Sequence, residues 1–252
     1  MTVYVGLHQP SDAGHFSHVI LSINRLRRRQ SPIGCGDWIM DSGAFTEIAT
    51  YGDYRHSVAE YAEEVNRWAE MDTGLRAAVS QDWMCEPWIL ERTTRTIAEH
   101  QRLTIERYDD LARSAHVYIM PVLQGYAPAD YLSHLDQYGD RLAHGAWVGV
   151  GSVCKRNRYP SQIEDVLVSI SRKRPDLRLH GFGLKSTALA SGLVQDVLHS
   201  CDSMAWSYAA RRQGCNANSW HEAAAWLARL KRQPVQLAWD FVPQAIRAAR
   251  DA

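Results

Sequence analysis

Short apolar runs alternate with longer amphipathic stretches along most of this chain. The stretch Ser57–Met71 spaces its apolar residues at i, i+3, i+4 and i+7, which predicts a helix that buries one face. The apolar runs between such stretches are short and nearly uninterrupted, as expected of strands that are covered on both faces. One β segment and one α segment together take roughly 30 residues, the length of a βαβ repeat. The pattern therefore predicts a parallel sheet with helices outside it.

The apolar runs predict strands at Val3–Gly6, Trp38–Met40, Ala77–Ser80, Val117–Leu123, Trp147–Val150, Arg178–Phe182 and Ser200–Met204. Helices are predicted at His15–Arg28, Ser57–Met71, Thr93–Ala112, Ala129–Leu142, around Ile163–Ile170, around Leu189–Val197 and at His221–Arg232. This alternation over 252 residues predicts an α/β fold, a TIM-type (β/α)8 barrel that forms a single domain over residues 1–252. Because Val235–Trp239 is a weak candidate for an eighth strand, the last strand is expected to be irregular or missing. An open doubly wound sheet is the alternative, and it would place a ligand at the same strand ends.

Several of the apolar runs end in a polar side chain of the kind that a catalyst uses. Asp41 ends the second predicted strand, and Asp82 follows the third. Gln124 follows the fourth strand, and Asp202 lies in the seventh. The carboxyl ends of barrel strands share one rim, so these carboxylates and this amide are expected to converge. Such a set suits a flat, hydrogen-bonding ligand and a nucleophilic displacement, although Asp41 alone could cap a turn and Gln124 could belong to one.

Glycines accompany two further strand ends, at Gly149-Val150-Gly151 and at His180-Gly181. Neither GxGxxG nor a Walker pattern completes them, so they give little support for a phosphate-binding glycine loop. Their better use is a close approach of the backbone to a ligand, where bare N–H groups can donate. These segments are therefore added to the predicted binding rim.

Charge is balanced overall but clustered locally. The 28 basic and 28 acidic residues give no net charge, so no global field attracts a polyanion. Basic clusters can still hold phosphates, because these contacts act over short distances. One cluster is the run Arg25–Arg29. The best phosphate candidates follow the fifth strand, with one more from a later cluster: Lys155, Arg156, Arg158 and Arg211.

Cysteine content and hydropathy exclude other classes of protein. The five cysteines are scattered and odd in number, which predicts no disulfide framework, and no CxxC pair marks a structural zinc site. No metal and no cofactor are therefore expected. No apolar run approaches the roughly 20 residues that span a bilayer, and no signal peptide is evident. We expect a soluble cytoplasmic protein that does not bind a membrane.

In combination, these strand ends resemble those of the tRNA-guanine transglycosylase superfamily, whose members exchange guanine for a 7-deazaguanine base in a nucleic acid. Asp41-Ser42-Gly43-Ala44-Phe45 is similar to the family's Asp-Ser-Gly-(Gly/Ala/Ser)-Phe motif. Leu123-Gln124-Gly125 is similar to its base-reading Gln-Gly, and Asp202-Ser203 to its strand-end nucleophile. The similarity spans roughly Tyr4 to Arg211. It looks closest to the short DNA-acting DpdA paralogues of phages and bacterial modification clusters, and a phage protein would act in the host cytoplasm.

Two differences from the family pattern bear on the substrate. The tRNA enzymes usually carry Cys-x-Cys-x-x-Cys and a distant His for zinc, and this sequence lacks that motif. This difference argues against a standard tRNA enzyme. Where bacterial tRNA enzymes have paired glycines after the fifth strand, this chain has Gly149-Val150-Gly151, so the backbone contact to the base is expected to differ.

The resemblance implies catalytic roles for two of the carboxylates. Asp202 is expected to attack C1′ of the nucleotide and form a covalent glycosyl ester, as the nucleophile of a retaining glycosidase does. Asp41 is expected to protonate the departing guanine and then to remove a proton from N9 of the incoming base. Two close carboxylates also predict coupled titration, with one pKa raised enough to hold a proton near neutrality.

The other strand-end groups are expected to recognise the base. Asp82 would accept hydrogen bonds from guanine N1–H and the exocyclic amine, a donor pair that adenine lacks. Gln124 would donate to O6, assisted by backbone N–H groups near Gly149 and Gly151. The same pocket is expected to include Ser42, Gly43, Phe45, His180 and Gly181.

The expected partners are DNA and a 7-deazaguanine base such as preQ0. A base inside a duplex must be flipped out, so a small chain is expected to prefer single-stranded or melted DNA, or to rely on a helper protein. tRNA is the alternative substrate of the same reaction. From another class, the fold could serve as a non-catalytic nucleic-acid-binding subunit, although such a subunit has no need of paired carboxylates. A phosphosugar barrel enzyme would need a phosphate cradle at the last strands, where Asp202 lies instead.

Overall fold

The computed structural model describes residues 1–156 and 159–232, except for the side chain of Lys155. Within these residues nine parallel strands form one sheet, in the order β5-β4-β3-β2-β1-β9-β8-β7-β6. Their bounds are β1 Thr2–Gly6, β2 His18–Ser22, β3 Asp37–Asp41, β4 Leu75–Val79, β5 Ile119–Met120, β6 Val122–Leu123, β7 Trp147–Val150, β8 Arg178–Gly181 and β9 Leu198–Ser203.

The two ends of this sheet belong to one interrupted strand, and this closes the barrel. β5 pairs with β4 on one side, and β6 pairs with β7 on the other. Pro121 lies between them and has no N–H to give to a ladder, which accounts for the interruption. Its carbonyl still accepts the N–H of Gly149 at 2.8 Å. Counting β5 and β6 as one strand gives eight strand positions around a ring, so the predicted TIM-type α/β barrel is confirmed.

The segment predicted as the first helix, His15–Arg28, instead contains strand β2, and that prediction is wrong. The side chains of Val19 and Leu21 are buried in the layer between strands and helices, whereas Ile20 faces the barrel interior. This is the period of two of a strand rather than the period of a helix. Short 3-10 turns at Pro10–His15 and Ile23–Arg25 flank β2. β2 is the strand missing from the prediction, and the candidate Val235–Trp239 lies outside the described residues.

The helices lie at α1 Ala44–Tyr51, α2 Val58–Met71, α3 Pro87–Thr93, α4 Ile97–Ser114, α5 Pro128–Tyr138, α6 Pro160–Lys173, α7 Ser186–Leu189, α8 Gly192–Val197, α9 Ala205–Arg212 and α10 Trp220–Arg232. Capping boxes set the starts of α2, at Ser57 and Glu60, and of α4, at Thr96 and Glu99. The helix expected from Thr93 therefore begins later, because Thr93 ends α3. None of the described helices combines the length and the hydropathy that a membrane-spanning segment needs.

The described residues form three clusters of buried apolar side chains, and the two larger ones are layers whose arrangement determines where a ligand can bind. The larger layer packs the helices against the outside of the strands, with the rings of Trp38 and Trp68 meeting edge to face. The smaller layer fills the barrel interior with side chains such as Tyr4, Ile39 and Met120. Because the interior is closed by packed side chains, a ligand can enter only at an end of the barrel. The polar residues that end the strands lie at the carboxyl end of the barrel, where a ligand could enter.

Candidate active site

A cavity of about 1150 Å³ opens at the carboxyl ends of the strands. Its wall includes the four strand-end residues that the sequence singled out: Asp41, Asp82, Gln124 and Asp202. They come from β3, from the loop after β4, from the end of β6 and from β9, so the closed barrel is what gathers them. The cavity is large enough for a nucleoside together with neighbouring nucleotide groups.

Asp41 is a half-buried carboxyl whose surroundings favour its protonated form. Burial raises its pKa to about 6, with the charge of Asp202 as the next cause. The Gly43 N–H, 3.1 Å from Oδ2, and the Ser22 hydroxyl act in the opposite direction. Gly43 has φ 75°, a left-handed conformation that suits glycine, and this turn brings its N–H back to Asp41. A carboxyl with this pKa can hold and release a proton near neutrality.

Asp82 is a buried carboxyl beside Gln124. Burial raises its pKa to about 7. The hydrogen bond from Gln124 Nε2 opposes this rise, and the charges of Asp41 and Glu86 add to it. The loop that carries Asp82 is fixed by the Tyr54 hydroxyl, which donates to the Asp82 carbonyl at 2.8 Å. Asp41 and Asp82 therefore titrate as an interacting pair in which one proton is readily held.

Gln124 is a buried residue whose side-chain amide and backbone N–H both form hydrogen bonds. Its side chain donates from Nε2 to Asp82 and accepts at Oε1 from the Ser152 hydroxyl at 2.7 Å. Its backbone N–H donates to His134 Nδ1 at 2.8 Å. A Cβ at position 151 would lie 2.2 Å from Nε2, so the glycine there leaves room for the amide. The second N–H of Nε2 is thus presented in a fixed place, as recognition of a carbonyl oxygen requires.

Asp202 is a largely buried carboxylate that His180 and the backbone of Gly183 hold in place. The Gly183 N–H donates to Oδ1 at 3.0 Å, and His180 Nε2 lies 3.4 Å from the same oxygen. Among the described residues, the hydrogen bonds to this side chain all reach Oδ1. The arrangement fixes the carboxylate through one oxygen and leaves Oδ2 for a reacting partner.

His180 belongs to a buried chain of hydrogen bonds beneath Asp202. Trp147 Nε1 donates to Ser200 Oγ at 2.8 Å, and Ser200 Oγ lies 2.9 Å from His180 Nδ1. The indole N–H can only donate, so the Ser200 hydroxyl is free to give its own proton to Nδ1. The proton on Nε2 then points to Asp202. His180 is fully buried and outside the cavity wall, so its predicted contact with the base is corrected to a contact with the carboxylate.

The predicted backbone donors are already engaged. The N–H of Gly149 donates to Pro121 and that of Gly151 to Leu123, both within the barrel ladder. Gly151 lines the cavity, but Gly149 and Gly181 do not. The prediction that these N–H groups assist at the base is therefore corrected, because the ladder of a closed barrel uses them.

Only some residues of the Asp41–Phe45 segment line the cavity. Phe45 lines the mouth of the cavity with its ring half-exposed. Ser42 is buried, and neither it nor Gly43 belongs to the cavity wall. These two residues shape the turn from β3 into α1, and their predicted contact with the base is corrected to that structural role.

The predicted phosphate cluster is only partly accounted for. Arg156 is buried, with its guanidinium 4.4 Å above the ring of Tyr126, and Arg211 donates to Ser207 Oγ at 3.4 Å. Neither side chain lines the cavity itself. Arg158 and the side chain of Lys155 lie outside the described residues.

Other cations at the mouth were missed as site residues. The cavity wall includes Arg25, Arg27, Arg28, Arg55 and Lys185. The Arg25–Arg29 cluster was visible in the sequence, but its assignment to a helix hid its position at the end of β2. Glu86 and Ser152 also line the cavity and were not predicted as site residues. Within the described part of the chain, no group of three or more His, Cys, Asp or Glu side chains is arranged to hold a metal ion.

The closed β/α barrel, with a proton-sharing pair of carboxyls and a fixed carboxylate at its carboxyl rim, defines an enzyme of the barrel class. The chain matches the DpdA family, described as DeoxyPurine in DNA protein A, over residues 1–251. It therefore belongs to the DpdA family, and this membership supports a transglycosylase activity in general. No protein of curated function matches the chain.

Proposed function

We propose that this protein replaces guanine in DNA by a 7-deazaguanine base of the preQ0 type, through a covalent intermediate on Asp202. The observation that carries the proposal is the meeting of Asp41, Asp82, Gln124 and Asp202 in one cavity. The family match, with its reference to deoxypurines in DNA, supports DNA as the substrate.

The first half of the reaction removes guanine. Asp202 Oδ2 attacks C1′ of the deoxyribose, and the electron pair of the C1′–N9 bond leaves with guanine. Asp41 gives its proton to the departing base, which therefore leaves as a neutral molecule. The product of this step is an ester between Asp202 and C1′. The raised pKa of Asp41 supports its role as the acid.

The second half inserts the new base. Asp41, now a carboxylate, takes the proton from N9 of the incoming 7-deazaguanine. N9 attacks C1′, and Asp202 leaves as a carboxylate, so the configuration at C1′ is retained after two displacements. Asp41 ends the cycle protonated, as it began, and no cofactor is consumed.

Base recognition falls to Asp82 and Gln124. The Asp82 carboxylate accepts from N1–H and from the exocyclic amine of guanine or 7-deazaguanine. Gln124 donates to O6 through the N–H of Nε2 that does not meet Asp82. Adenine would leave the buried carboxylate without its donors, so adenine is rejected.

The mouth of the cavity has the character of a surface for unpaired nucleic acid. Phe45, Met204 and Tyr208 line it with exposed side chains, and the exposed Trp88 ring lies 6.0 Å from that of Phe45. Lys185 Nζ lies 5.3 Å from the Tyr208 ring. Aromatic faces interleaved with cations bind single strands by stacking and by phosphate contact. These features support single-stranded or melted DNA as the substrate.

Removing the aromatic rim should weaken binding of single-stranded DNA. Base–aromatic stacking is worth about 1–3 kcal/mol per base, so Phe45→Ala and Tyr208→Ala are each expected to weaken binding by about 5-fold to 150-fold. Fluorescence anisotropy with a labelled single-stranded oligonucleotide at fixed salt measures this. The control Tyr118→Ala removes an exposed aromatic that precedes β5 at the opposite end of the barrel. Equal effects at all three positions would contradict the assignment of the rim.

Exchange of radiolabelled guanine tests the reaction itself. Incubated with single-stranded DNA, with duplex DNA and with tRNA, the protein is expected to incorporate label into DNA and most rapidly into the single strand. A denaturing gel should also reveal a covalent enzyme–oligonucleotide adduct. Incorporation into tRNA alone would overturn the DNA assignment. Binding of DNA with neither incorporation nor adduct would instead support the non-catalytic subunit.

A further inference from the structure

His180 is a fully buried histidine whose ring forms two hydrogen bonds, one of them to Asp202. Its Nδ1 lies 2.9 Å from Ser200 Oγ, and its Nε2 lies 3.4 Å from Asp202 Oδ1. An ionised carboxylate can only accept, so Nε2 must carry a proton. The exchange reaction described above gives this donor no role, although it points at the proposed nucleophile.

The neighbours of His180 determine the direction in which this proton points. Trp147 Nε1, which can only donate, lies 2.8 Å from Ser200 Oγ. The Ser200 hydroxyl therefore accepts from the indole and gives its own proton to Nδ1 of His180. Three successive donors then point the same way, toward Asp202. Because hydrogen bonds in such a chain polarise one another, the last bond, from Nε2–H to the carboxylate, is strengthened.

The surroundings of His180 exclude solvent from this chain. Three rings pack around the imidazole, with centres 6.0 Å, 6.0 Å and 4.8 Å from its own: Tyr4, Trp147 and Phe182. Phe182 also lines the cavity, whereas His180 does not. The His180 ring has no exposed surface, so water does not compete with Asp202 for the proton on Nε2.

A shift in strand register places Ser200 and Asp202 on the inner face of the barrel. Leu179 of β8 pairs with Leu198 of β9. The next residue, His180, pairs with Ser200, so β9 contains one extra residue at this point. Leu198 packs in the outer layer, whereas Ser200 reaches the interior, and Asp202 follows on the same face two residues later. Irregularities of this kind are frequent next to active sites, where they re-aim a side chain.

A donor on Oδ1 affects the two halves of the exchange differently, a difference that rests on the proposed function. While Asp202 is a carboxylate, the hydrogen bond from Nε2–H is charge-assisted. Once Oδ2 is bonded to C1′, Oδ1 is the carbonyl oxygen of a neutral ester, and the same bond is weaker. When N9 of the incoming base attacks, the C1′–Oδ2 bond breaks and its electron pair returns to Asp202, while the N9 proton goes to Asp41. The donor therefore favours departure of the carboxylate.

We propose that His180 is a positioning residue that shortens the lifetime of the covalent intermediate, because its Nε2–H stabilises the departing carboxylate of Asp202. The N–H of Gly183 donates to the same oxygen at 3.0 Å and remains when the side chain at position 180 is changed. Loss of the imidazole should therefore weaken the stabilisation without abolishing it. From the difference between a charge-assisted and a neutral hydrogen bond, the lifetime should lengthen by about 5-fold to 10-fold.

A chase of the covalent adduct measures this lifetime. The protein is incubated with an end-labelled single-stranded oligonucleotide, excess guanine is added, and samples denatured at intervals are resolved on a gel. In His180→Leu the adduct should disappear about 5-fold to 10-fold more slowly than in the wild type and accumulate to a higher fraction. His180→Gln keeps an N–H at a similar reach, so its adduct lifetime should stay within about 3-fold of the wild type.

The matched control is His100→Leu. It removes another fully buried histidine, whose ring contacts Thr93 and the Met84 carbonyl. A purely structural effect would lower the amount of adduct and leave its lifetime unchanged, as we expect for this control. If His180→Leu does not fold, Ser200→Ala takes its place, since it removes the donor that orients the imidazole. Its adduct lifetime should lengthen by at least about 2-fold.

The possible outcomes separate this role from the proposed function. An adduct that forms in the wild type and has the same lifetime in the folded variant would overturn the role of His180 and leave the proposed function intact. Absence of any adduct from the wild-type protein, with single-stranded DNA, duplex DNA and tRNA alike, would overturn the proposed function and the role of His180 with it.

Discussion

Replacing Asp202 by asparagine is expected to abolish base exchange, lowering the rate of guanine release by at least about 10⁴-fold. Gly183 and His180 hold the carboxylate through Oδ1, and in the proposed mechanism Oδ2 attacks C1′. An amide is isosteric but does not form the ester, so neither exchange nor an adduct should be detected. Release of labelled guanine from single-stranded DNA and a denaturing gel for the adduct measure the two effects.

The control for this variant is Asp196→Asn. Asp196 lies on α8, six residues before Asp202, and its side chain is exposed. The substitution removes the same charge from the same part of the chain without entering the cavity, and exchange should be retained. A covalent adduct that persists in Asp202→Asn would show that another residue is the nucleophile.

Replacing Asp41 by asparagine should lower the rate of guanine release by about 10²-fold to 10⁴-fold, the usual contribution of a general acid. The nucleophile remains in this variant, so some adduct should still form slowly. Measuring guanine release and adduct formation on the same samples separates the loss of the acid from the loss of the nucleophile. Full activity in Asp41→Asn would refute its assignment as acid and base.

The pH profile gives an independent test of Asp41. The proposed mechanism needs a proton on Asp41 and an ionised Asp82, and the pKa values of these carboxyls are raised to about 6 and about 7. Below this range both carboxyls are protonated, so Asp82 no longer accepts from the base; above it Asp41 has lost its proton. The value of kcat/KM should therefore be bell-shaped, with a maximum near roughly pH 6.5. In Asp41→Asn the alkaline limb should disappear, and a flat wild-type profile would contradict the proton-sharing pair.

Much of the site could be predicted because of a simple rule of barrels. A polar residue that ends an apolar run is expected at the carboxyl rim, and the four residues chosen by this rule, Asp41, Asp82, Gln124 and Asp202, all line one cavity there. The same rule misplaced His180, because it does not predict how far below the carboxyl rim a side chain lies inside the barrel. His180 follows Leu179 inside β8, below the rim, where Ser200 and Asp202 enclose it. Depth within a barrel depends on strand register, which only the assembled sheet determines.

The errors in the fold have a similar cause. The run Val19-Ile20-Leu21 is short and lies between polar residues, so it fits a helix and a strand equally well. Its pairing with β1 and β3 decides the matter, and that pairing joins distant parts of the chain. The position of the Arg25–Arg28 cations at the mouth depends on the same strand. Contacts such as Ser152 with Glu86 join two loops 66 residues apart, and no local signal predicts them.

The pairing of β1 with β9 has a consequence for how the protein becomes active. Thr2 lies beside Ser200, and Tyr4 beside Asp202, so the seam of the barrel joins residues nearly two hundred positions apart. Until the later strand has been synthesised and docked, β1 keeps an open edge, and contacts of such long sequence separation form slowly. Because Asp202 lies on that seam, the nascent polypeptide places its proposed nucleophile only when β9 has docked against β1.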